Sequence, residues 1–129
     1  MKLDYDCIRD VLLICEDKLQ LTPDLSWEIM NLSAFCSLLS KYSREEITYT
    51  LILLDEAGYI DCQVVESDWN VIDIRVSRLT YCGHEFLSSI HSDSIWKKIL
   101  KIINGLGPVS LPIIQNVASQ LLLSSLNLQ

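Results

Sequence analysis

Apolar residues recur at helical spacing through most of the chain, and strands are predicted in only one region. Near the amino terminus the apolar residues share one helical face, which predicts a first helix over residues 4–19. Its inward residues are Ile8, Val11, Leu12, Cys15 and Leu19. Pro23 cannot continue a helix. Residues 25–31 are therefore either an extended segment or an irregular loop.

Two further helices, separated by a tight turn, are predicted over residues 32–40 and 44–57. Asn31 is the expected N-cap of the first. The inward residues of that short helix are Ala34, Phe35 and Leu38. Ser43 and Glu46 have the spacing of a capping box, in which each side chain bonds a free amide at the start of the helix.

A glycine and a hairpin follow the third predicted helix. Gly58 suits the left-handed backbone conformation that commonly ends a helix. Residues 59–65 and 71–76 are rich in β-branched side chains and predict two strands around a polar turn over residues 66–70. Helix, glycine and hairpin form the second half of a winged helix-turn-helix. The predicted fold class is α+β, mainly α with a small β-hairpin, followed by C-terminal helices.

Three more helices are predicted after the hairpin. They cover residues 81–91, residues from Asp93 or Ser94 to Gly105, and residues 110–126. The second has Ile95, Trp96, Ile99, Leu100 and Ile103 inward and Lys97, Lys98 and Lys101 outward. We expect a winged helix-turn-helix domain over residues 1–92 and a helical extension over residues 93–129 that serves packing or dimerisation.

Composition limits the class of protein. At 129 residues, half of them hydrophobic, the chain is long enough for one domain with its own core. It has no apolar run of about 18 residues, and its acidic amino terminus lacks the features of a signal peptide. Its five cysteines are not spaced as metal ligands or as a redox pair, so we expect unpaired structural thiols. We predict a cytoplasmic protein without membrane contact.

Charge is unevenly distributed along the chain, whose net charge is −7. Residues 1–73 carry five basic and fifteen acidic side chains, whereas residues 74–101 carry five basic and two acidic ones. Residues 102–129 carry none. The predicted helix-turn-helix is therefore strongly acidic, which is unusual for a module that would bind phosphates.

The third predicted helix would enter the major groove if the protein reads DNA. The candidate contacts with a nucleic acid or a partner are Arg44, Thr48, Tyr49, Trp69, Arg75 and Arg78. This helix has one basic and four acidic groups, so it would repel phosphates. At the hairpin tip, Trp69 is either an anchor for a partner or folded back onto the hairpin. Arg75 and Arg78 form, with the three later lysines, either a phosphate-binding patch or ordinary solvated and internally paired charges.

Catalytic chemistry is not indicated. His84 and Glu85 lack an accompanying nucleophile in a recognisable motif. His84 and His91 are too few for a catalytic metal site, and the isolated glycines make no phosphate-binding loop. We therefore predict no enzymatic activity, no cofactor and no metal.

The last predicted helix carries only Ser, Asn and Gln on its polar side. A neutral polar face is less costly to bury in a subunit interface than a charged one. We expect a homodimer through this helix, with contacts from Ile114, Val117, Leu121 and Leu122.

Several motifs resemble the domain of unknown function 2513 family. The segments that carry the resemblance are residues 1–6, 8–10, 42–47, 53–58, 78–87 and 90–97. The run Leu-Thr-x-x-Gly-His-Glu-Phe-Leu over residues 79–87 is the most specific. The resemblance implies a small winged helix from Gram-positive bacteria or their phages and prophages. This chain departs from the family pattern at residues 67–70 and lacks the expected lysines in its last helix.

Two functions are compatible with these patterns. The first is a phage or prophage DNA-binding transcriptional regulator with duplex DNA as its partner. The alternative is an acidic protein-binding module that inhibits a basic host or anti-phage defence protein, in the manner of a nucleic-acid mimic or an anti-CRISPR protein.

Overall fold

The computed structural model describes residues 1–126, which form six helices and one three-stranded antiparallel sheet. The elements are α1 (Tyr5–Lys18), β1 (Met30–Asn31), α2 (Leu32–Leu38), α3 (Arg44–Glu56), β2 (Ile60–Ser67), β3 (Asn70–Leu79), α4 (Tyr81–Ile90), α5 (Asp93–Leu106) and α6 (Leu111–Leu126). The predicted α+β class with a dominant helical content is confirmed.

The chain divides into two compact units. The first is Met1–His84, and the second begins at Glu85, so the division falls inside α4. The domain boundary predicted between residues 92 and 93 lies further along the chain and stays a prediction.

The first helix supplies one side of the core of Met1–His84. Asp4 caps α1 by accepting a hydrogen bond from the backbone N–H of Cys7 at 3.0 Å. The predicted inward residues of α1 are all buried, and α1 packs on α3 and β3. The helical periodicity of this segment was therefore sufficient to identify its buried face.

The turn before α3 is tied to α1 through a carboxylate. The Tyr42 hydroxyl donates to Asp10 Oδ2 at 2.7 Å, and Lys41 Nζ lies 3.1 Å from the same oxygen. Burial, with this hydrogen bond and the negative charge of Asp10, raises the pKa of Tyr42 above its ordinary value. The phenol therefore remains a donor at neutral pH, and it holds the α2–α3 turn against α1.

Both predicted caps in this region are confirmed. The Asn31 side chain accepts from the Ala34 N–H at 3.0 Å, and Ser43 and Glu46 form the reciprocal capping box. The prediction that Leu38 faces inward is wrong, since its side chain is 52% exposed. The short α2 ends at Leu38, and the non-helical residue that follows, Leu39, enters the core instead.

The sheet has the order β1-β3-β2, so β3 is its central strand. Met30 and Asn31 pair with β3. In the loop before them, the β-type pairing among the described residues is limited to one isolated bridge between Leu21 and Trp27. The stretch predicted as either extended or irregular is thus extended only at its end. The predicted turn over residues 66–70 is too long, because pairing continues to Ser67 and Asn70 and leaves two residues at the tip.

A junction at Gly58 connects α3, the hairpin and α4. Gly58 has φ +80°, which confirms the predicted left-handed position. Thr80 closes the base of the hairpin: its N–H donates to Tyr59 O at 3.0 Å and its hydroxyl donates to Gly58 O. The same hydroxyl oxygen accepts from the Gly83 N–H at 3.1 Å and so caps α4. A Cβ on Gly83 would lie 2.1 Å from Tyr59 O, so only glycine permits this approach.

The second unit contains an amphipathic α5 packed on α6. Ser92 caps α5, and Ile95, Trp96, Ile99 and Ile103 are buried while the three lysines are exposed, as predicted. Leu100, also predicted inward, is half-buried. From α6, Ile114 and Ala118 are buried. None of the helices within residues 1–126 is both apolar enough and long enough to cross a bilayer.

Substitution of Gly83 by alanine tests the junction. We expect Gly83→Ala to lower the free energy of unfolding by about 3 kcal/mol, because the methyl group would meet backbone atoms that cannot move aside alone. Gly105→Ala is the matched control, since nothing lies within 4 Å of a Cβ at this α5 position. There alanine should raise stability by about 0.5–1 kcal/mol. Urea unfolding measures the free energy of unfolding of both variants. Equal effects of the two substitutions would contradict the close approach of Gly83 to the Tyr59 backbone.

Candidate functional site

An open cavity of about 480 Å³ lies between the exposed side of α3 and the start of β3. We call its lining the α3–hairpin surface. It consists of Met1, Arg44, Glu45, Thr48, Tyr49, Ile52, Asn70 and Val71. Three of the six predicted contact residues, those on α3, are therefore brought together. Sequence reasoning missed Met1 and Val71, because only the fold places them beside α3.

The capping box fixes the amino-terminal end of α3 and, with it, the exposed Arg44. Within the described residues Arg44 makes no ion pair, so its guanidinium is available to a ligand. Thr48 is less available, since its hydroxyl donates to the Arg44 carbonyl oxygen at 2.7 Å. An ionised phosphate oxygen accepts hydrogen bonds and cannot donate them. The Thr48 hydroxyl would therefore have to give up its bond to the Arg44 carbonyl before it could donate to a phosphate.

Trp69 stands at the hairpin tip and is 100% exposed. It therefore does not fold back onto the hairpin, and its role as an anchor for a partner stays a prediction. Its backbone has φ +69°, and that of Asp68 has φ +49°. Two successive left-handed residues are typical of a two-residue turn of type I′, which strongly favours glycine at the second position. A tryptophan there is sterically disfavoured by about 1–2 kcal/mol.

Arg75 and Arg78 do not line the α3–hairpin surface. Arg75 Nε lies 3.8 Å from Asp73 Oδ2, while the other oxygen of Asp73 accepts from the backbone N–H groups of Leu32 and Ile74. Arg78 Nε donates to Asp61 Oδ2 at 2.6 Å. The hairpin arginines are thus paired internally, and the predicted contact set separates into two groups.

The electrostatics of the α3–hairpin surface follow from this pairing. Each hairpin arginine has an aspartate partner through its Nε, whereas the exposed carboxylates of Glu66 and Asp68 beside the tip have no ion pair among the described residues. On α3, four acidic residues accompany Arg44. Asp55, predicted to face solvent, is half-buried because its carboxylate accepts from the Cys62 N–H at 3.1 Å. Arg44 and Glu45 are the charged side chains of the lining, so the α3–hairpin surface itself is close to neutral, whereas the hairpin tip beside it is acidic.

Three of the five thiols lie in surroundings that raise their pKa. Burial raises the pKa of Cys7 to about 11 and that of Cys15 to about 12. Burial and the nearby Asp55 carboxylate raise the pKa of Cys62 to about 12. These three thiols remain protonated at neutral pH and are poor nucleophiles. In the same described part, no three His, Cys, Asp or Glu side chains are placed to hold a metal ion.

The residues predicted to form a dimer interface are not the most exposed ones of α6. Ile114 is 1% exposed, and Val117, Leu121 and Leu122 are half-buried. Ile113, Leu123 and Leu126 are instead 49%, 58% and 66% exposed. Helical periodicity selects the face that packs on α5, so it does not reveal the apolar residues left outside.

Comparison with known proteins identifies a family. The family model described as "Hypothetical protein (DUF2513)" matches residues 2–108. An uncharacterized protein of Haemophilus influenzae is 29% identical over 127 residues, which cover 95% of this chain and 96% of that protein. No solved structure matches the chain. Since the family model covers most of its length, the chain belongs to the domain of unknown function 2513 family, as its motifs predicted.

Proposed function

We propose that Met1–His84 is a winged helix-turn-helix module. Its element order is α1-β1-α2-α3-β2-β3, and its sheet order is β1-β3-β2. In this interpretation α3 occupies the place of the recognition helix and the β2–β3 hairpin is the wing. The module would act in the cytoplasm of a bacterium, in the phage or prophage setting that the sequence motifs imply.

We propose further that the hairpin tip around Trp69, next to the α3–hairpin surface, binds a protein partner. The observation that carries this proposal is Trp69, fully exposed in a backbone conformation that favours glycine. Strained residues concentrate where function requires them, and exposed tryptophans are frequent anchors of protein interfaces. A tryptophan held in water in this conformation contributes no packing to the module's own stability, which favours a role in contact with another molecule.

Charge indicates the kind of partner. The carboxylates of Glu66 and Asp68 flank Trp69, and neither has an ion pair among the described residues. A wing that enters the DNA minor groove would place these charges against phosphates and repel them. A basic protein surface would instead attract them and leave the indole to fill an apolar pocket. The proposed function is therefore binding, and thereby inhibition, of a basic host or defence protein.

DNA binding remains the second candidate because one observation favours it. Arg44 lies at the start of α3, exposed and without an ion pair in the described part of the chain, where a recognition helix contacts bases or phosphates. One cation among many carboxylates supplies little of the phosphate neutralisation on which DNA affinity depends.

Trp69→Gly tests the protein-binding proposal. The variant should keep the free energy of unfolding within about 1 kcal/mol of wild type, because glycine relieves the left-handed strain. Its affinity for the partner should fall about 30-fold or more, as expected for an anchor residue. Proteins retained from bacterial lysate by wild type would be purified, and their affinity would be measured by calorimetry.

Leu25→Gly is the matched control for this experiment. Leu25 also has a left-handed backbone, with φ +67°, and its side chain is 77% exposed in a different loop. Its replacement relieves comparable strain and should leave partner binding unchanged. Equal binding by the Trp69 variant and wild type would refute the proposal.

An electrophoretic shift with random duplex DNA tests the second candidate. At about 20 mM salt, where phosphate attraction is strong, we expect no shift. A shift that is lost in Arg44→Gln would establish the DNA reader and displace our preferred function. Lys18→Gln makes the same charge change on α1, outside the α3–hairpin surface, and controls for net charge.

We also propose that α6 mediates homodimerisation. This helix carries no charged residue between Leu111 and Leu126, and its exposed apolar residues are Ile113, Leu123 and Leu126. Two identical surfaces meet in a symmetric dimer, so a charged face would repel its own copy while a neutral apolar face would not.

Leu123→Asp should convert a dimer to a monomer on size-exclusion chromatography with light scattering at micromolar concentration. The residue is 58% exposed, so a carboxylate there should not disturb the monomer. Ser124→Asp adds the same charge at the next exposed position and should weaken association less. A wild-type monomer, or a variant dimer of unchanged mass, would reject this interface.

A further inference from the structure

A second cavity, of about 420 Å³, lies in Met1–His84 at the opposite end of the hairpin from Trp69. The carboxyl end of α1, the loop before β1, the end of β3 and the start of α4 enclose it. Its volume is within the range typical of sites for small organic molecules, roughly 300–1,000 Å³. The α3–hairpin surface and this cavity share no lining residue.

Arg78 presents an oriented guanidinium to this cavity. Its Nε donates to Asp61 Oδ2 at 2.6 Å, and its guanidinium carbon lies 5.8 Å from the centre of the Trp27 ring. The two terminal nitrogens have no hydrogen-bond partner among the described residues. The carboxylate on one side and the indole on the other restrain the group, so less rotamer entropy is lost on binding a ligand. A planar fork of N–H donors matches the two oxygens of a carboxylate.

The remaining walls suit a planar ring. Trp27 is 48% exposed and Tyr81 is 74% exposed, so both aromatic side chains are partly accessible, while Leu19 and the buried Cys15 close the inner side. Flat aromatic and apolar walls favour a ring that packs in offset or edge-to-face geometry. Glu16 lines the same cavity and opposes anions in general, so a ligand is compatible with it only if its negative charge is a single carboxylate paired directly with the terminal nitrogens of Arg78.

We propose that this cavity binds a small planar organic monoanion, with its ring against Trp27 and its carboxylate on the terminal nitrogens of Arg78. The binding site is independent of the proposed partner surface, since it uses the other end of the hairpin. The protein would then have two binding sites, one for an aromatic carboxylic acid and one for its macromolecular partner.

Nitrogen-15 NMR titration with 4-hydroxybenzoate tests this proposal, and 4-hydroxybenzyl alcohol is the neutral probe of the same shape. For a ligand of this size we expect a dissociation constant of about 1 mM, with shifts confined to amides around the cavity. The neutral alcohol should bind about tenfold more weakly, because it lacks the charge-assisted pair.

Arg78→Gln should weaken 4-hydroxybenzoate binding about tenfold or more. Arg75→Gln is the matched control, because Arg75 lies on the same strand but does not line the cavity. The Arg75→Gln variant should bind 4-hydroxybenzoate as tightly as wild type. Trp27→Leu supplies a second variant at a half-exposed position and should also reduce affinity.

Three results would overturn the proposal: no amide shifts at about 10 mM probe, equal binding of the acid and the alcohol, or equal loss of affinity in the Arg75 and Arg78 variants. None of these results bears on the Trp69 experiment, so failure here leaves the proposed function standing. Conversely, loss of partner binding in Trp69→Gly does not affect this cavity.

Discussion

The junction of Gly58, Tyr59, Thr80 and Gly83 is the constraint on which the first unit depends. Thr80 joins both ends of the hairpin and also caps α4, while the missing side chain of Gly83 lets α4 reach the backbone of Tyr59. One set of short contacts therefore determines where the hairpin leaves α3 and where α4 begins. The positions of the tip and of the cavity near Arg78 follow from it.

The aspartates near and within the hairpin form hydrogen bonds that stabilise the fold. Asp55 accepts a backbone N–H from β2, Asp73 accepts one from the start of α2, and Asp61 holds Arg78. Two of these carboxylates therefore supply hydrogen-bond acceptors to backbone N–H groups of β2 and α2, and the third pairs with a side chain. Because Asp61 and Asp73 also pair with the hairpin arginines, the acidic character of the tip at Glu66 and Asp68 is a consequence of folding as well as of composition.

Much of the fold was predictable because its signals are local. Caps at Asn31 and Ser43, the left-handed Gly58 and the apolar face of α1 all depend on residues within a few positions of each other. Where the prediction was wrong, longer-range contacts decide. Leu39, just after the end of α2, enters the core in place of Leu38, and Asp55 is half-buried where the N–H of Cys62 in β2 donates to it.

The candidate site was predictable only in part, for the same physical reason. The α3 residues of the site share one helix face and could be grouped by spacing. Arg78 could not be assigned, since its neighbours Asp61 and Trp27 are 17 and more residues away and no periodicity relates them. The left-handed turn at Trp69 could not be predicted either, because the turn residues Asp68 and Trp69 lack the Asn-Gly or Asp-Gly signal of a type I′ turn.

The two units differ in charge, and this difference bears on the two contacts that we propose. Residues 1–84 carry seven basic and fifteen acidic side chains, whereas residues 85–129 carry three basic and two acidic ones. Association of two copies through the acidic unit would bring like charges together, and the repulsion would weaken the pair at low salt. Association through the uncharged α6 avoids that repulsion. In these proposals self-association uses residues of α6, and a partner of opposite charge uses the acidic hairpin tip, so the two contacts depend on different residues.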